Sequence, residues 1–259
     1  MVIHHLRSYS NFIPILAIAM PGFLEINPAA LRQKFEIARG GAGVIYMCEI
    51  VDPGLRQRLF PINVCVAKGS MNPYALDMDL FRQEVSIMYH CMKKRNIAKL
   101  IGYTSTPPMI VMQFYPLGSL SEWIHRGIRE FPFSIYTVYN LAHGTASGLI
   151  ALHFSGIAHC DVKPKNILLE SVPTARGLAL RALLSDFGVS RILHERMQVQ
   201  KFRRVNLNAM SAYYAAPEVM EIFSGMGMYP QSPKAIIAGD VYAYGVLLYE
   251  MLTRKSPWK

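Results

Sequence analysis

The sequence predicts an α+β chain in two parts, a strand-rich first part and a mainly helical second part. Phe35 to Val51 reads as two short strands around a glycine-rich bend, and the alternation Ile62, Val64, Val66 extends this to a small sheet. In the second half, Val138, Leu141, Thr145, Leu149 and Leu152 recur at three- and four-residue steps, which predicts a long helix from Ser134 to Phe154. The turn Pro116 to Ser119 separates the two patterns, and the chain shows no internal repeat or low-complexity tract.

The remaining elements follow in order. Residues 1–25 form a hydrophobic lead-in. Its apolar run, Phe12 to Met20, contains the small-x-small triplet Ala17-Ile18-Ala19, but only Arg7 is positive ahead of it and Pro14 interrupts it, so packing on the domain is expected rather than secretion. Pro53 to Pro61 reads as a turn, Asp77 to Lys94 as a helix, and Ile97 to Tyr103 and Met109 to Tyr115 as strands parted by Pro107-Pro108. Ser171 to Arg181 and Ser190 to Met210 read as irregular loops, the second with a basic cluster of Lys201, Arg203 and Arg204 around Phe202 that is expected to be solvated. Ile236 to Leu252 is nearly all apolar around Asp240. This is the pattern of a buried core helix, whose acid must find donors inside the fold.

Composition narrows the function classes. At 259 residues with 52 % hydrophobic and 17 % charged side chains, the chain is not disordered, and a fold of this size buries roughly 70–75 % of its unfolded surface. The formal charge of +10 favours acidic partners, such as nucleotides, nucleic acid, acidic peptides or an anionic membrane face, without choosing among them. Cys48, Cys65, Cys91 and Cys160 include no CxxC pair, so neither a disulfide framework nor a structural zinc site is expected. Pro14, Pro21, Glu25 and Asp240 keep apolar runs below the roughly 18 residues of a spanning helix, which predicts a soluble, cytoplasmic protein.

Chemistry enters with two motifs. The run Ala38-Arg39-Gly40-Gly41-Ala42-Gly43-Val44-Ile45 places small residues in a strand-turn-strand setting, where a missing Cβ lets backbone N–H groups approach phosphate; alone it reads first as a structural turn. The more specific signal is His159-Cys160-Asp161-Val162-Lys163-Pro164-Lys165-Asn166, followed by Asp186-Phe187-Gly188. Here the chain resembles the eukaryotic protein kinase family, whose catalytic loop and metal-binding turn have this order. The resemblance extends back to the glycine loop, Lys68 and Glu84, and forward to Ala216-Pro217-Glu218 and Asp240. It implies a bilobal protein-kinase-like fold, with an N-lobe over 26–115 and a C-lobe over 116–259, binding ATP and Mg²⁺ between the lobes.

The resemblance also implies roles. Asp161 orients the attacking hydroxyl and accepts its proton, Lys163 stands beside the transferring phosphate, and Asn166 and Asp186 supply oxygen to magnesium. Lys68 contacts the inner phosphates and pairs with Glu84. Ala38, Gly40, Gly43, Ile45 and Val66 line the nucleotide, Met112 is the gatekeeper, Gln113, Phe114 and Tyr115 form the hinge, and Leu168 is the apolar floor. Lys163, together with Ser211 three residues before Tyr214, resembles the pattern for protein Ser/Thr acceptors. The lead-in from Phe23 through Leu31 and the hinge from Phe114 to Leu120 look like the tyrosine-kinase-like branch, with a role in signal transduction.

Some positions depart from the family. Ala38 replaces the first loop glycine and Val66 a small alanine, which predicts a modest loss of ATP affinity; Cys160 replaces an arginine that captures activation-segment phosphate, so switching on is expected not to need that phosphate. The ending Pro257-Trp258-Lys259 comes early for the family, which predicts an incomplete C-lobe with exposed apolar surface and an unpaired Glu218. The expected function is phosphoryl transfer to Ser/Thr hydroxyls of proteins. The alternative is a pseudokinase or fragment acting as a nucleotide-binding scaffold, and a specific nucleic-acid partner is not expected.

Overall fold

The computed structural model describes residues 24–40, 43–72, 76–175, 177–193, 212–224 and 232–257. They form two compact units, one of residues 24–93 and 97–116, the other of residues 94–96 and 117–257. Most of the expected lead-in, the basic cluster at 201–204 and Ser211 lie outside the described residues.

The first unit is a five-stranded antiparallel sheet in the order β1 (Leu31–Gly40), β2 (Gly43–Ile50), β3 (Val64–Gly69), β5 (Pro108–Gln113), β4 (Leu100–Ser105). Pro108, read as part of a break, opens β5. The expected turn at Pro53 to Pro61 is instead a helix, α1 (Pro53–Leu59). Asp52 caps it by accepting the Leu55 N–H at 2.6 Å, Pro53 begins it with φ already suited to a helix, and Leu55 anchors it in a core of Ile26, Cys48, Ile50, Cys65, Ala67, Ile101 and Val111. One turn of cap and proline was thus enough to start a helix where the proline had suggested a break. Helix α2 (Met78–Cys91) is capped by Asp77, and its inner face carries Phe81, Glu84, Val85 and Met88 at helical spacing. Phe81 meets the ring of Tyr103 on β4 edge-on at 6.4 Å.

The second unit is mainly helical: α3 (Leu120–Arg126), α4 (Ile135–Phe154), α5 (Pro217–Ser224) and α6 (Pro233–Thr253), with two small antiparallel ribbons. All five positions that predicted α4 are buried, joined by Gly144 and Gly148. A Cβ at Gly148 would stand 2.8 Å from the Asn96 carbonyl oxygen, so the bare backbone lets the helix pack close. Asn96 in turn donates through Nδ2 to the Ala182 carbonyl at 2.9 Å and accepts the Leu184 N–H at 2.9 Å, which is why residues 94–96 join this unit.

The segment Ser171 to Arg181 is not a loop. It is the outer half of a hairpin, β7 (Ile167–Thr174) and β8 (Gly177–Leu184), registered from Ile167 opposite Leu184 to Thr174 opposite Gly177. Its inner half buries Ile167, Leu169, Ala182 and Leu184, and the Glu170–Arg181 ion pair crosses its middle. Serine, proline and glycine made the outer half look irregular, but a two-stranded ribbon has two edges and so tolerates Pro173. The short pair β6 (Ile157–Ala158) and β9 (Arg191–Ile192) begins the stretch expected as a second loop. Its remainder from 194 lies outside the described residues.

By length and composition α6 could cross a membrane, with mean hydropathy 1.4. Its acids are tied into the unit instead. Asp240 and Glu250 are 1 % and 2 % exposed, and Glu250, not foreseen from sequence, accepts the Tyr214 hydroxyl and pairs with His125 Nε2 at 2.7 Å. The outward face of α6 is apolar, with Val241, Tyr242, Tyr249 and Leu252 exposed. The Glu218 side chain on α5 has no hydrogen-bond or ion-pair partner among the described residues.

Candidate active site

In the first unit the sheet register sorts the candidate residues by face. Ala38 is paired with Ile45, Ile45 with Lys68, and Val66, two residues before Lys68, with Met112. Directly opposed residues share a face, as do residues two apart on one strand, so Ala38, Ile45, Val66, Lys68 and Met112 all lie on one side. The other side holds Cys48, Cys65, Ala67 and Val111 of the core. Lys68 Nζ meets Glu84 Oε1 at 2.7 Å, with both side chains only 10 % exposed. Desolvation is costly for each charge, and their mutual attraction offsets it only while both are present.

Gly40 and Gly43 close the β1–β2 register, and residues 41–42 lie outside the described residues. Gly43 has φ +114° and a Cβ there would stand 2.3 Å from the Gly69 carbonyl oxygen, so the position demands glycine twice over. Two of the residues expected to form the hinge have side chains turned elsewhere. Gln113 pairs with Cys65, which puts its side chain on the core side; its N–H donates to the Lys99 carbonyl at 3.0 Å, and its Oε1 is buried without a partner among the described residues. The Tyr115 hydroxyl accepts the Lys99 N–H at 3.1 Å.

In the second unit the catalytic-loop candidates converge. Asp161 Oδ2 accepts from Lys163 Nζ at 2.6 Å and from Asn166 Nδ2 at 2.8 Å, and the same Nδ2 donates to the Asp161 carbonyl at 2.9 Å. Asp161 and Asn166 are 7 % and 5 % exposed. The loop is fixed from behind. His159 is fully buried; its Nδ1 accepts the Asp161 N–H at 3.3 Å, so Nε2 carries the proton donated to the Ser185 carbonyl at 3.1 Å. Asp240 on α6 accepts the N–H groups of His159 and Cys160 and a contact from His153 Nε2, each at 2.8 Å. Cys160 takes φ +63° on this anchor, and burial, then the Asp240 charge, push its thiol up.

Asp186 is joined to this cluster through its neighbour. Ser185 donates its N–H and its hydroxyl to the Asn166 carbonyl at 2.9 and 3.0 Å, and Asp186 follows at φ +63°. Phe187 is fully buried, its ring centroid 5.3 Å from that of His159. Leu168 pairs with Leu183 and bridges Ser119. The residues fit a hard divalent cation: the Asn166 side chain spends only Nδ2 on hydrogen bonds, which leaves its Oδ1, and Asp186 adds a carboxylate. Magnesium takes one or two such protein oxygens and completes its shell from water and phosphate. Among the described residues no cluster of three or more His, Cys, Asp or Glu competes for that role.

Sequence reading missed His153, Ser185, Tyr214 as a partner of Glu250, and His125. Their partners lie 19 to 125 residues away, and no local spacing signals such pairs.

The model of the protein kinase domain matches residues 36–259. The chain belongs to the protein kinase family. Its antiparallel N-lobe sheet and helical C-lobe are the two lobes of the bilobal kinase fold. Among its relatives, the Arabidopsis thaliana serine/threonine-protein kinase STY46 is 30 % identical over 91 % of this chain and 35 % of its own length. The Arabidopsis LRR receptor-like serine/threonine-protein kinase RGI5 is 29 % identical over 88 % of this chain and 19 % of its own. A putative serine/threonine-protein kinase/receptor of Acanthamoeba polyphaga mimivirus, R831, is 30 % identical over 91 % of this chain and 13 % of its own. The chain thus spans about a third or less of each of these relatives.

Proposed function

We propose that this kinase domain transfers the terminal phosphoryl group of ATP to Ser/Thr hydroxyls of proteins, as a member of the tyrosine-kinase-like branch working in the cytoplasm. The observation that carries the reading is the Asp161 carboxylate held by Lys163 and Asn166 at 2.6 and 2.8 Å. Phosphoryl transfer asks little covalent chemistry of the protein and much alignment and fixed positive charge. Asp161 accepts the proton of the attacking hydroxyl as its oxygen bonds to phosphorus and the bond to ADP breaks. The Lys163 ammonium, now beside that carboxylate, stabilises charge on the migrating group. Lys68, aimed by Glu84, holds the inner phosphates, and Ile45, Val66 and Met112 on the same sheet face supply apolar lining for the base.

Magnesium at Asn166 and Asp186 would screen the negative charge of the phosphates. Serine/threonine kinases among the relatives support the acceptor class, as does Lys163, and the sequence from Phe114 to Leu120 supports the branch. Four free thiols support a reducing, cytoplasmic setting. Retention of Lys68, Asp161, Asn166 and Asp186 favours catalysis over a scaffold role. The test is transfer of labelled phosphate from ATP to a generic protein: Asp161→Ala lowers the rate by about 10²–10⁴-fold, the worth of a positioned base. Equal signals from parent and variant overturn the reading.

A further inference from the structure

The sheet face turned away from Lys68 carries a pair of thiols. Cys48 on β2 and Cys65 on β3 stand directly opposite one another, both are free, and they are 3 % and 0 % exposed. The Cys48 thiol donates to the Tyr46 carbonyl at 3.9 Å. Two residues along the ladder, the Ile50 N–H donates to the Asn63 carbonyl at 3.0 Å, which makes Cys48 and Cys65 a hydrogen-bonded pair of the antiparallel register.

That register decides what the thiols can do. Hydrogen-bonded pairs hold their Cα atoms about 5.5 Å apart, inside the roughly 4.4–6.8 Å that a disulfide spans. Their Cβ atoms, about 5.5 Å apart, are wider than the roughly 3.5–4.5 Å of a relaxed disulfide. A bond here forms only by drawing the strands together, and a bond under such tension is readily reduced. We infer that Cys48 and Cys65 are a redox modification site, closing under peroxide to a reversible cross-strand disulfide on the strand that carries Lys68.

Cys48, 3 % exposed where Cys65 is 0 %, is the attacking residue. Its neighbour Cys65 holds its thiol below the usual range against the effect of burial, while Cys48 and burial push Cys65 up. The Cys48 sulfur attacks one peroxide oxygen, the O–O bond breaks, and sulfenic acid and one water result. Cys65 then displaces that oxygen: the S–S bond forms, the S–O bond breaks, and a second water leaves. Two thiols lose two electrons and two protons, and one peroxide is reduced to two waters.

The test needs no catalytic activity, so it stands apart from the proposed phosphotransfer. The whole chain is reduced, exposed to hydrogen peroxide without denaturant while circular dichroism shows it folded, alkylated and digested with trypsin. A cross-link between the peptides Gly40–Arg56 and Leu59–Lys68, abolished by dithiothreitol, is the expected result. In Cys65→Ala, dimedone is expected to trap sulfenic acid at Cys48, and trapping at Cys65 in Cys48→Ala with none at Cys48 in Cys65→Ala would overturn the order of attack. The parent digest decides the site itself. Cys48 and Cys65 remaining alkylatable at peroxide levels that oxidise glutathione, or each reaching sulfinic acid without a cross-link, overturns the inference.

Discussion

The Cys160 backbone N–H donates to the Asp240 carboxylate at 2.8 Å across 80 residues of sequence, tying the catalytic loop to the central helix of the C-lobe. The carboxylate is 1 % exposed and has two further donors, His159 N–H and His153 Nε2. A buried charge is tolerable when its lone pairs are filled in this way, and here two of the three donors are the residues that lead into Asp161. Asp240→Ala would leave two buried N–H groups and a histidine without their acceptor. Urea unfolding is expected to show a loss of about 3–5 kcal/mol, and about 1–3 kcal/mol for Asp240→Asn, which retains one acceptor oxygen. A loss within about 0.5 kcal/mol, the ordinary effect of a surface substitution, would contradict the anchoring role.

Lys68 and Glu84 stabilise each other only as a pair. Lys68→Met takes the ammonium away from the buried Glu84 carboxylate, so it should lower both thermal stability and phosphotransfer, whereas the double variant Lys68→Met/Glu84→Leu should recover stability without activity. Calorimetry alongside the transfer assay separates the two effects. A double variant no more stable than the single one would show that the charges do not couple.

Tyr214 gives the C-lobe an alkaline limit. Burial, then its hydrogen bond to Glu250, raise the hydroxyl above the ordinary tyrosine value of 10.0. The folded state therefore holds this proton more tightly than the unfolded chain. The contribution is fully present below about pH 10 and is lost as pH rises from there through the folded value. Tyr214→Phe should cost about 1.5–3 kcal/mol at neutral pH, the worth of a hydrogen bond to a charged group. It should also flatten the fall of stability above pH 10, leaving the slope from Tyr103 and Tyr244, which are raised by burial as well. An unchanged slope in unfolding curves from pH 8 to 11 would count against this.

Gly43→Ala meets two obstacles, φ of +114° and a carbonyl oxygen 2.3 Å from the new Cβ. The expected cost is about 1–3 kcal/mol from the strained backbone alone, read as a lowered unfolding midpoint. A weaker KM for ATP should accompany it, because the β1–β2 turn must shift. A variant with the parent's midpoint and KM would show that the turn has another conformation available.

Val66→Ala should act in the opposite direction on the nucleotide. Val66 shares the Lys68 face and opposes Met112, so removing two methyl groups enlarges the lining there. The KM for ATP is expected to fall, by less than tenfold, at a stability cost of about 1–2 kcal/mol, in the range of trimming a buried aliphatic side chain. A higher KM would show that Val66 contacts the base productively.

Much of the fold and of the site could be read locally. The α4 periodicity, the Asp77 cap of α2 and the catalytic loop with its DFG turn all depend on residues within about a helical turn of one another, where geometry follows from spacing. Local reading failed where two local signals conflicted. At Pro53 the proline reads as a break unless Asp52 ahead of it is weighed as a cap. At Ser171 to Arg181 the polar and glycine content hid a ladder that becomes visible only when Ile167 is set against Leu184.

Residue types and order alone determined the family, the candidate donors and acceptors, and the need of Asp240 for partners, because those are properties of side-chain chemistry and short spacings. Only the tertiary structure decided who the partners are. His153 reaches Asp240, and Tyr214 and His125 reach Glu250, because helix packing brings distant segments within about 3 Å, the reach of a hydrogen bond, and strand register sets Cys48 opposite Cys65. Such contacts come from the burial of whole faces, and no short window of sequence contains both halves of that surface.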